Sequence, residues 1–410
     1  MANSMAPVPQ AVMRTLEPFG QSFTLPSEAY VSEEVFGWEK ENFFEGSWTC
    51  VGRSLDLPHR GDRKAVKVGT EGVLLVRDEE DELRAFFNVC RHRGHELVAT
   101  GVCDTARVIR CPYHAWVYGL DGGLKGAPHF GDRSDFDRAD YPLQPVRVEE
   151  WHGWVFVNIS GDAPSFADHV GNLGGFLAPY EPERLVSVVR HEYVIQSNWK
   201  IIVENYHECY HCPQIHPELC RVTPPDSGYN VHPDGAWAGG TMELMDFADT
   251  MSMTGESLGV PLRGLDAEQR RQVLYFGYFP NLLLSPHPDY LMTHRIEPLG
   301  PGSSLIECEW LFPPEAVERE GFDPSYASEF WDITNKEDWG ACEAVQRGVS
   351  SRGYKQGPLA PDEDAVYDFI TMVARGYVGQ DMMKRPPARE DSVEAAEAAE
   401  AAKDPKPALT

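Results

Sequence analysis

The chain has 410 residues, of which 42% are hydrophobic and 24% charged, and a formal net charge of −28. This is an ordinary globular composition, long enough for two or three domains. So large an acidic excess repels phosphate backbones and anionic lipid surfaces, which sets nucleic-acid and membrane partners aside. No run of 18 apolar residues is present and the opening segment lacks a basic, apolar leader, so a cytoplasmic protein is expected. Nine cysteines, an odd number thinly spread, point to thiols and metal ligands rather than a disulfide framework.

Residues 1–45 read as an N-terminal arm packing on the second domain, with a short helix over 32–43. Residues 46–160 form an all-β domain of short strands. Strands at 72–77 and 83–89 flank the acidic turn 78–82, and others fall at 107–110, 115–118 and 154–158, with Asp121-Gly122-Gly123 a turn signal. Residues 161–384 change character. A strand over 186–196 leads into a helix from 199 to about 212, where Pro213 is expected to stop it. Strands follow at 275–285, 290–297 and 304–312, then helices at 326–348 and 362–375. The fold class is α+β, with a mixed, mainly antiparallel sheet and helices in the second domain. Residues 385–410, rich in Pro, Ala and Glu, read as a disordered tail.

Two loops of the β domain carry Cys90-Arg91-His92 and Cys111-Pro112-Tyr113-His114. Each supplies one thiolate and one imidazole, donors that suit zinc or an iron–sulfur cluster. One Cys and one His from each loop match a cluster with two cysteines on one iron and two histidines on the other, the Rieske arrangement. A zinc ribbon, or four unrelated buried side chains, is the plainer alternative. His95 and Cys103 read as bystanders.

These contexts, Cys-Arg-His-Arg-Gly and Cys-Pro-Tyr-His-Ala-Trp, resemble the Rieske domain of the Rieske non-heme iron oxygenases, the ring-hydroxylating oxygenase α-subunit family. The resemblance spans about residues 40–380, tight in three segments and loose between 221 and 335. It implies a Rieske [2Fe–2S] domain followed by a catalytic mononuclear iron domain of helix-grip type.

The second informative stretch runs from Asn198 to His216. His207-Glu208-Cys209-Tyr210-His211 is a literal H-E-x-x-H, the zinc hydrolase pattern. The third histidine of the metzincin pattern is missing, its position being Pro217. His211 and His216 are the better pair. On a continuous helix they would stand about 140° apart, but a break at Pro213 lets the chain bring His216 back to one ion. Two imidazoles and a carboxylate make the facial triad of oxygen-activating ferrous sites. The family pattern is matched by Asn205, Glu208, Tyr210, His211 and His216. A downstream segment similar to the family's carboxylate donor makes Asp338 the third ligand, with Glu343 the second candidate and Glu337 pointing about 100° away on the same helix.

The resemblance implies a terminal oxygenase that uses O2 on a small organic substrate. Electrons would come from a flavin/iron–sulfur reductase, with or without a ferredoxin, because no Gly-x-Gly-x-x-Gly site is present. It also implies a head-to-tail homotrimer in which Glu208 bridges His211 to His114 of the next subunit. Glu208, Asn205 and Tyr206 are the candidate catalytic side chains. Glu208 stands where Asp is commoner, in a Glu-Cys-Tyr-His-Cys-Pro context similar to the branch acting on carnitine and glycine betaine. Tyr206, Tyr229 and Trp237 could cage such a cation. Aromatic-ring dioxygenation is the alternative; an electron-carrier Rieske protein and a zinc hydrolase are remote ones.

Overall fold

In the computed structural model, which describes residues 5–131 and 134–384, most of the strands form two seven-stranded sheets. The expected tail, 385–410, lies outside the described residues. The first sheet and a small satellite are built from β1 (Thr49–Arg53), β2 (Asp62–Val68), β3 (Glu71–Arg77), β4 (Leu83–Phe87), β5 (Cys103–Thr105), β6 (Ile109–Arg110), β7 (Val117–Tyr118), β8 (Leu124–Gly126), β9 (Pro145–Trp151) and β10 (Trp154–Asn158). The large sheet runs β1-β10-β9-β4-β3-β2-β5, and β6-β7-β8 form a separate three-stranded sheet. The acidic turn closes the β3–β4 hairpin, where the Asp78 carboxylate accepts from the backbone N–H groups of Glu80 and Glu82.

The second sheet contains β11 (Val186–Ile195), β12 (Tyr229–Asn230), β13 (Trp237–Glu243), β14 (Gln272–Tyr278), β15 (Leu282–Pro286), β16 (Leu291–Gly300) and β17 (Ser303–Phe312), in the order β11-β17-β16-β15-β14-β13-β12. Each of its pairings is antiparallel, so the expected mixed element is not found among the described residues. The expected single strand over 275–285 is two strands, β14 and β15, joined at Phe279–Asn281.

Three helices, α1 (Trp199–Tyr206), α2 (Ser325–Val349) and α3 (Asp364–Tyr377), pack on one face of this sheet. Alternation along β14 and β15 decides what each face meets. Phe276, Tyr278, Leu282 and Leu284 join Trp48, Trp154 and Phe156 of the first domain in one core, whereas Val273 and Leu283 join the helices in another.

Asn198 starts α1 as an N-cap, its Oδ1 accepting from Lys200 N–H at 3.0 Å. The helix is buried nearly all round, which forces Lys200 into the interior. There its ammonium lies 2.6 Å from Glu39, whose carboxylate also accepts from the Trp199 indole at 2.9 Å and from the Tyr377 hydroxyl. A desolvated pair of this kind holds only when its remaining lone pairs are satisfied, as they are here. It ties residues 33–44 to the second domain, and Thr24 N–H to Gly357 O continues the same attachment.

The two domains are stitched by side chains acting as backbone. Asn281 accepts from Cys50 N–H at 3.0 Å and donates to Cys50 C=O at 3.0 Å. Arg53 donates to the carbonyls of Pro182 and Leu185, and the buried His169 ring reaches Ser47 Oγ and Phe279 O.

Candidate active site and metal centres

The two Cys/His loops repeat one geometry. Cys90 N–H donates to His95 O and Gly94 N–H donates back to Cys90 O; Cys111 N–H donates to Trp116 O and Ala115 N–H to Cys111 O. The fourth residue after each cysteine is left-handed, at φ +71° for Gly94 and +57° for Ala115. Glycine adopts that conformation freely and alanine at a cost, so the second loop holds it through its surroundings. Cys90 and Cys111 are buried, while His92 and His114 stand at the outer side with ring centroids 4.6 Å apart. His92 stacks on Trp116 at 4.9 Å, and the Tyr118 hydroxyl lies 3.3 Å from the Cys90 sulfur. His95 and Cys103 are exposed.

These residues fit a two-iron cluster. Nδ1 of His92 is buried without a hydrogen-bond partner, an orphan that a metal bond would satisfy. Burial and the neighbouring Cys111 thiol push the Cys90 thiol up, a charge problem that a bound cation reverses. Among the described residues, the set of ligand atoms gathered within 4.8 Å of one another is His211, His216 and Asp338. The four Cys/His side chains are not drawn round one point, as a lone tetrahedral zinc with bonds of about 2.0–2.3 Å would require.

The catalytic-domain stretch folds differently from its expected form. Helix α1 ends at Tyr206, so residues 207–211 are a turn. Pro213 does not stop a helix; it sits in the first turn of a new one, Cys212–Ile215, where its missing N–H is harmless. Glu208 and His211 therefore share no helix, yet they meet: Glu208 accepts from His211 N–H at 3.1 Å and lies 2.5 Å from its Nδ1. Cys209 and Cys212 flank His211 as a disulfide, against the expectation of free thiols there.

His207 leaves the site. Its Nδ1 lies 2.6 Å from Val203 O and its Nε2 3.3 Å from Ala238 O, and burial pushes it down to about 4. Gly277 makes room for that ring, since a Cβ there would sit 2.3 Å from His207 Cε1. The H-E-x-x-H match thus has no metal geometry.

His211 Nε2 and His216 Nε2 lie 3.2 Å apart, and Asp338 Oδ1 lies 3.4 Å and 2.8 Å from them. Burial works against protonating His211, but Asp338 and Glu208 outweigh it and raise the ring to about 9. Asp338 is held below the usual carboxylate range by the two rings despite its burial. Such a preorganised, electron-rich triad suits a divalent cation in the imidazole–carboxylate class. Asn205 Nδ2 stands 3.5 Å from His211 Nε2.

Glu337, expected to point away, places its carboxylate 2.8 Å from His216 Nδ1. Glu343 accepts from Gln196 N–H at 3.0 Å, an anchor between α2 and the end of β11. It is remote from the triad's polar contacts.

The triad lines a cavity of about 940 Å³. Tyr206 lines it, with its hydroxyl held by Leu284 O and Ser285; Tyr229 lines it and is 42% exposed. Trp237 does not. It is fully buried in the interdomain core against Phe176 and Phe276, because its position in β13 faces the other way. Among the rings missed in the sequence are Trp331, Trp339, Tyr275 and His294. Trp331, Asn335, Asp338 and Trp339 form an i, i+4, i+7, i+8 stripe of α2, a periodicity that could have found them.

The comparisons agree with this geometry. Residues 47–141 match the family model for a Rieske [2Fe-2S] domain, and 182–379 that for a ring hydroxylating alpha subunit (catalytic domain). The chain is 30% identical to the glycine betaine monooxygenase oxygenase subunit of Chromohalobacter salexigens, over 86% of each chain. It is 33% identical to the carnitine monooxygenase oxygenase subunit of Escherichia coli K12, over 83% of this chain and 88% of that one. A solved quaternary ammonium Rieske monooxygenase, described for carnitine oxidation and inter-subunit electron transfer, superposes with a TM-score of 0.76 at 26% identity, covering 91% of this chain and all of that one. Two domains of the right kinds in the right order, and full-length kinship on top of them, mean that this chain belongs to the Rieske non-heme iron oxygenases, as an oxygenase subunit with a [2Fe–2S] cluster and a mononuclear iron.

Proposed function

We propose that the chain oxidises a quaternary ammonium compound at iron held by His211, His216 and Asp338, fed from a cluster on Cys90, His92, Cys111 and His114. The observation that carries the substrate class is the cavity wall. Aromatic rings and the carboxylates of Glu208, Asp226, Asp338, Asp362 and Asp364 line it, and no lysine or arginine does among the described residues. Such a wall attracts a cation and holds its methyl groups against ring faces.

Bound iron would supply O2 activation, with coordination positions left open by three protein ligands. The chain's own contribution is positional. Glu208 and Glu337 take the Nδ1–H of the two histidines, which leaves both Nε2 lone pairs on the metal side. Asn205 braces the inner face of His211, and Tyr206, tied to β15, fixes the floor on which substrate rests.

Electrons come from a partner flavin/iron–sulfur reductase, directly or through a ferredoxin, in the cytoplasm. The assembly is a head-to-tail homotrimer in which Glu208 links His211 to His114 of the next copy. The kinship with a protein described for inter-subunit electron transfer supports this arrangement. Reconstituted with a reductase, the brown holoenzyme is expected to couple O2 uptake to oxidation of carnitine-like or betaine-like amines and to ignore aromatic acids. Uptake driven by aromatic acids and not by quaternary amines overturns the proposal.

A further inference from the structure

Of the nine cysteines, seven are thiols. The other two, Cys209 and Cys212, close a disulfide across His211. A staple between residues three apart restrains little of the unfolded chain, because loop-closure entropy grows with the length enclosed. Global stability is therefore not what this bond supplies. Its Cys-x-x-Cys spacing is that of pairs that open and close.

The pair is reachable. Cys209 is half-buried and Cys212 buried, and both line the cavity that holds the triad. Cys209 is thus the more accessible sulfur, with Cys212 as the resolving or leaving one. The pair is also consequential. Residues 207–211 belong to no helix or strand, and His211 is seated by short-range bonds. Glu208 accepts from its N–H and meets its Nδ1, and Cys212 N–H donates to Cys209 O at 3.1 Å. The disulfide closes the same span as that last bond, directly between Glu208 and the residue after His211. Opening it frees the segment that presents both side chains.

Taking His211 as an iron ligand, we infer that Cys209 and Cys212 are a redox-active pair whose disulfide clamps Glu208 and His211 together. The iron site is held firmly in the disulfide form and loosely in the dithiol form. Hydrogen peroxide closes the pair in two steps. The Cys209 sulfur attacks one peroxide oxygen, the O–O bond breaks, and one water leaves a sulfenic acid behind. The Cys212 sulfur then displaces the hydroxyl, forming the S–S bond and a second water. Two thiols and one peroxide thus give one disulfide and two waters. A small dithiol reopens the pair by exchange, its own sulfurs becoming the disulfide.

The test compares two forms of the full chain carrying its cluster: one reduced with a phosphine, the other reduced and then closed with one equivalent of hydrogen peroxide. Each is freed of reagent, loaded anaerobically with Fe(II), and challenged with a ferrous chelator. Alkylation with iodoacetamide and peptide mass should find two labels on Cys209 and Cys212 in the reduced form and none in the closed one. Iron should pass to the chelator about tenfold faster from the reduced form, the low end of what loss of a ligating histidine's outer partner costs. The visible spectrum of the cluster should match in both. Cys209→Ser and Cys212→Ser should lose iron at the fast rate whatever the treatment, their cluster spectrum showing that they fold. Labels on both cysteines after peroxide, equal transfer rates, or a phosphine effect that survives in both variants overturns the inference. A pair that opens and closes in a chain that takes up no iron beyond its cluster overturns instead the iron assignment of His211 on which the inference rests.

Discussion

Glu337 sets its Oε2 2.8 Å from Nδ1 of His216, on the ring edge opposite the one that faces Asp338. Glu208 does the same for His211, so each candidate ligand ring is gripped by its own carboxylate. A carboxylate on the outer nitrogen fixes the tautomer and raises the basicity of the inner one.

Glu337→Gln and Glu208→Gln should each weaken Fe(II) affinity by about 10–100-fold while sparing the cluster. Mononuclear iron retained after dialysis against a graded chelator, beside an unchanged visible spectrum, checks this. Full retention in Glu337→Gln would show that Glu337 is a bystander.

Asp338→Ala should remove the mononuclear iron and all product formation, since it deletes the anionic member of the triad. Glu343→Ala should keep both, and lose about 1 kcal/mol of stability with the bond to Gln196 N–H. Iron analysis and urea unfolding of the two variants separate the roles; the opposite pattern would transfer the ligand assignment to Glu343.

Iron loading should release protons and strengthen with pH. Metal-free His211 holds its proton up to about 9, and His216 is raised as well, so below that range Fe(II) competes with protons for Nε2. Affinity should rise by up to about tenfold per pH unit for each proton displaced, between pH 6.5 and 9. Anaerobic titrations in lightly buffered solution at several pH values read both quantities. A pH-independent affinity contradicts the proton-loaded triad.

Acid should unfold the chain earlier than its carboxylates alone would dictate. Burial pushes His169, His207 and His294 down to about 4 and His287 to about 3. Their folded values lie below the unfolded one near 6.5, so the unfolded chain binds the extra protons first. The stability these neutral rings provide is complete above about pH 6.5 and is lost as pH falls through the window down to about 4. Each contributes up to about 1.4 kcal/mol per pH unit there. Unfolding free energies at pH 7, 6 and 5 check the slope, and His169→Gln should make it shallower.

Local chemistry was readable wherever residue type and short spacing decide geometry. Cys90, His92, Cys111 and His114 belong to loops whose turns are written in their own backbone bonds, and α2 and α3 declare themselves by period and length. The end of α1 was not readable. Seven apolar and polar residues in a row after Trp199 continue a helical pattern, and only the pull of Val203 O and Ala238 O on His207 shows where it stops. Strand β13 hides because both its faces are buried, which erases the alternation that would mark which side Trp237 takes. Glu337 was misplaced by ideal helical angles alone. A flexible side chain spans the difference, reaching His216 from a position 100° round from Asp338.

Asn281 embraces Cys50 as a neighbouring strand would, and apolar side chains of both domains share the core that holds Cys50. Hinges form where few contacts cross a boundary. This boundary is bonded through side chain, backbone and core together, so the Cys/His loops are held at a constant distance from the triad of their own chain. None of the side chains lining the triad's cavity comes from those loops. Within one chain the two candidate metal regions thus sit on a single bonded frame, and their separation is set by that frame rather than by a hinge.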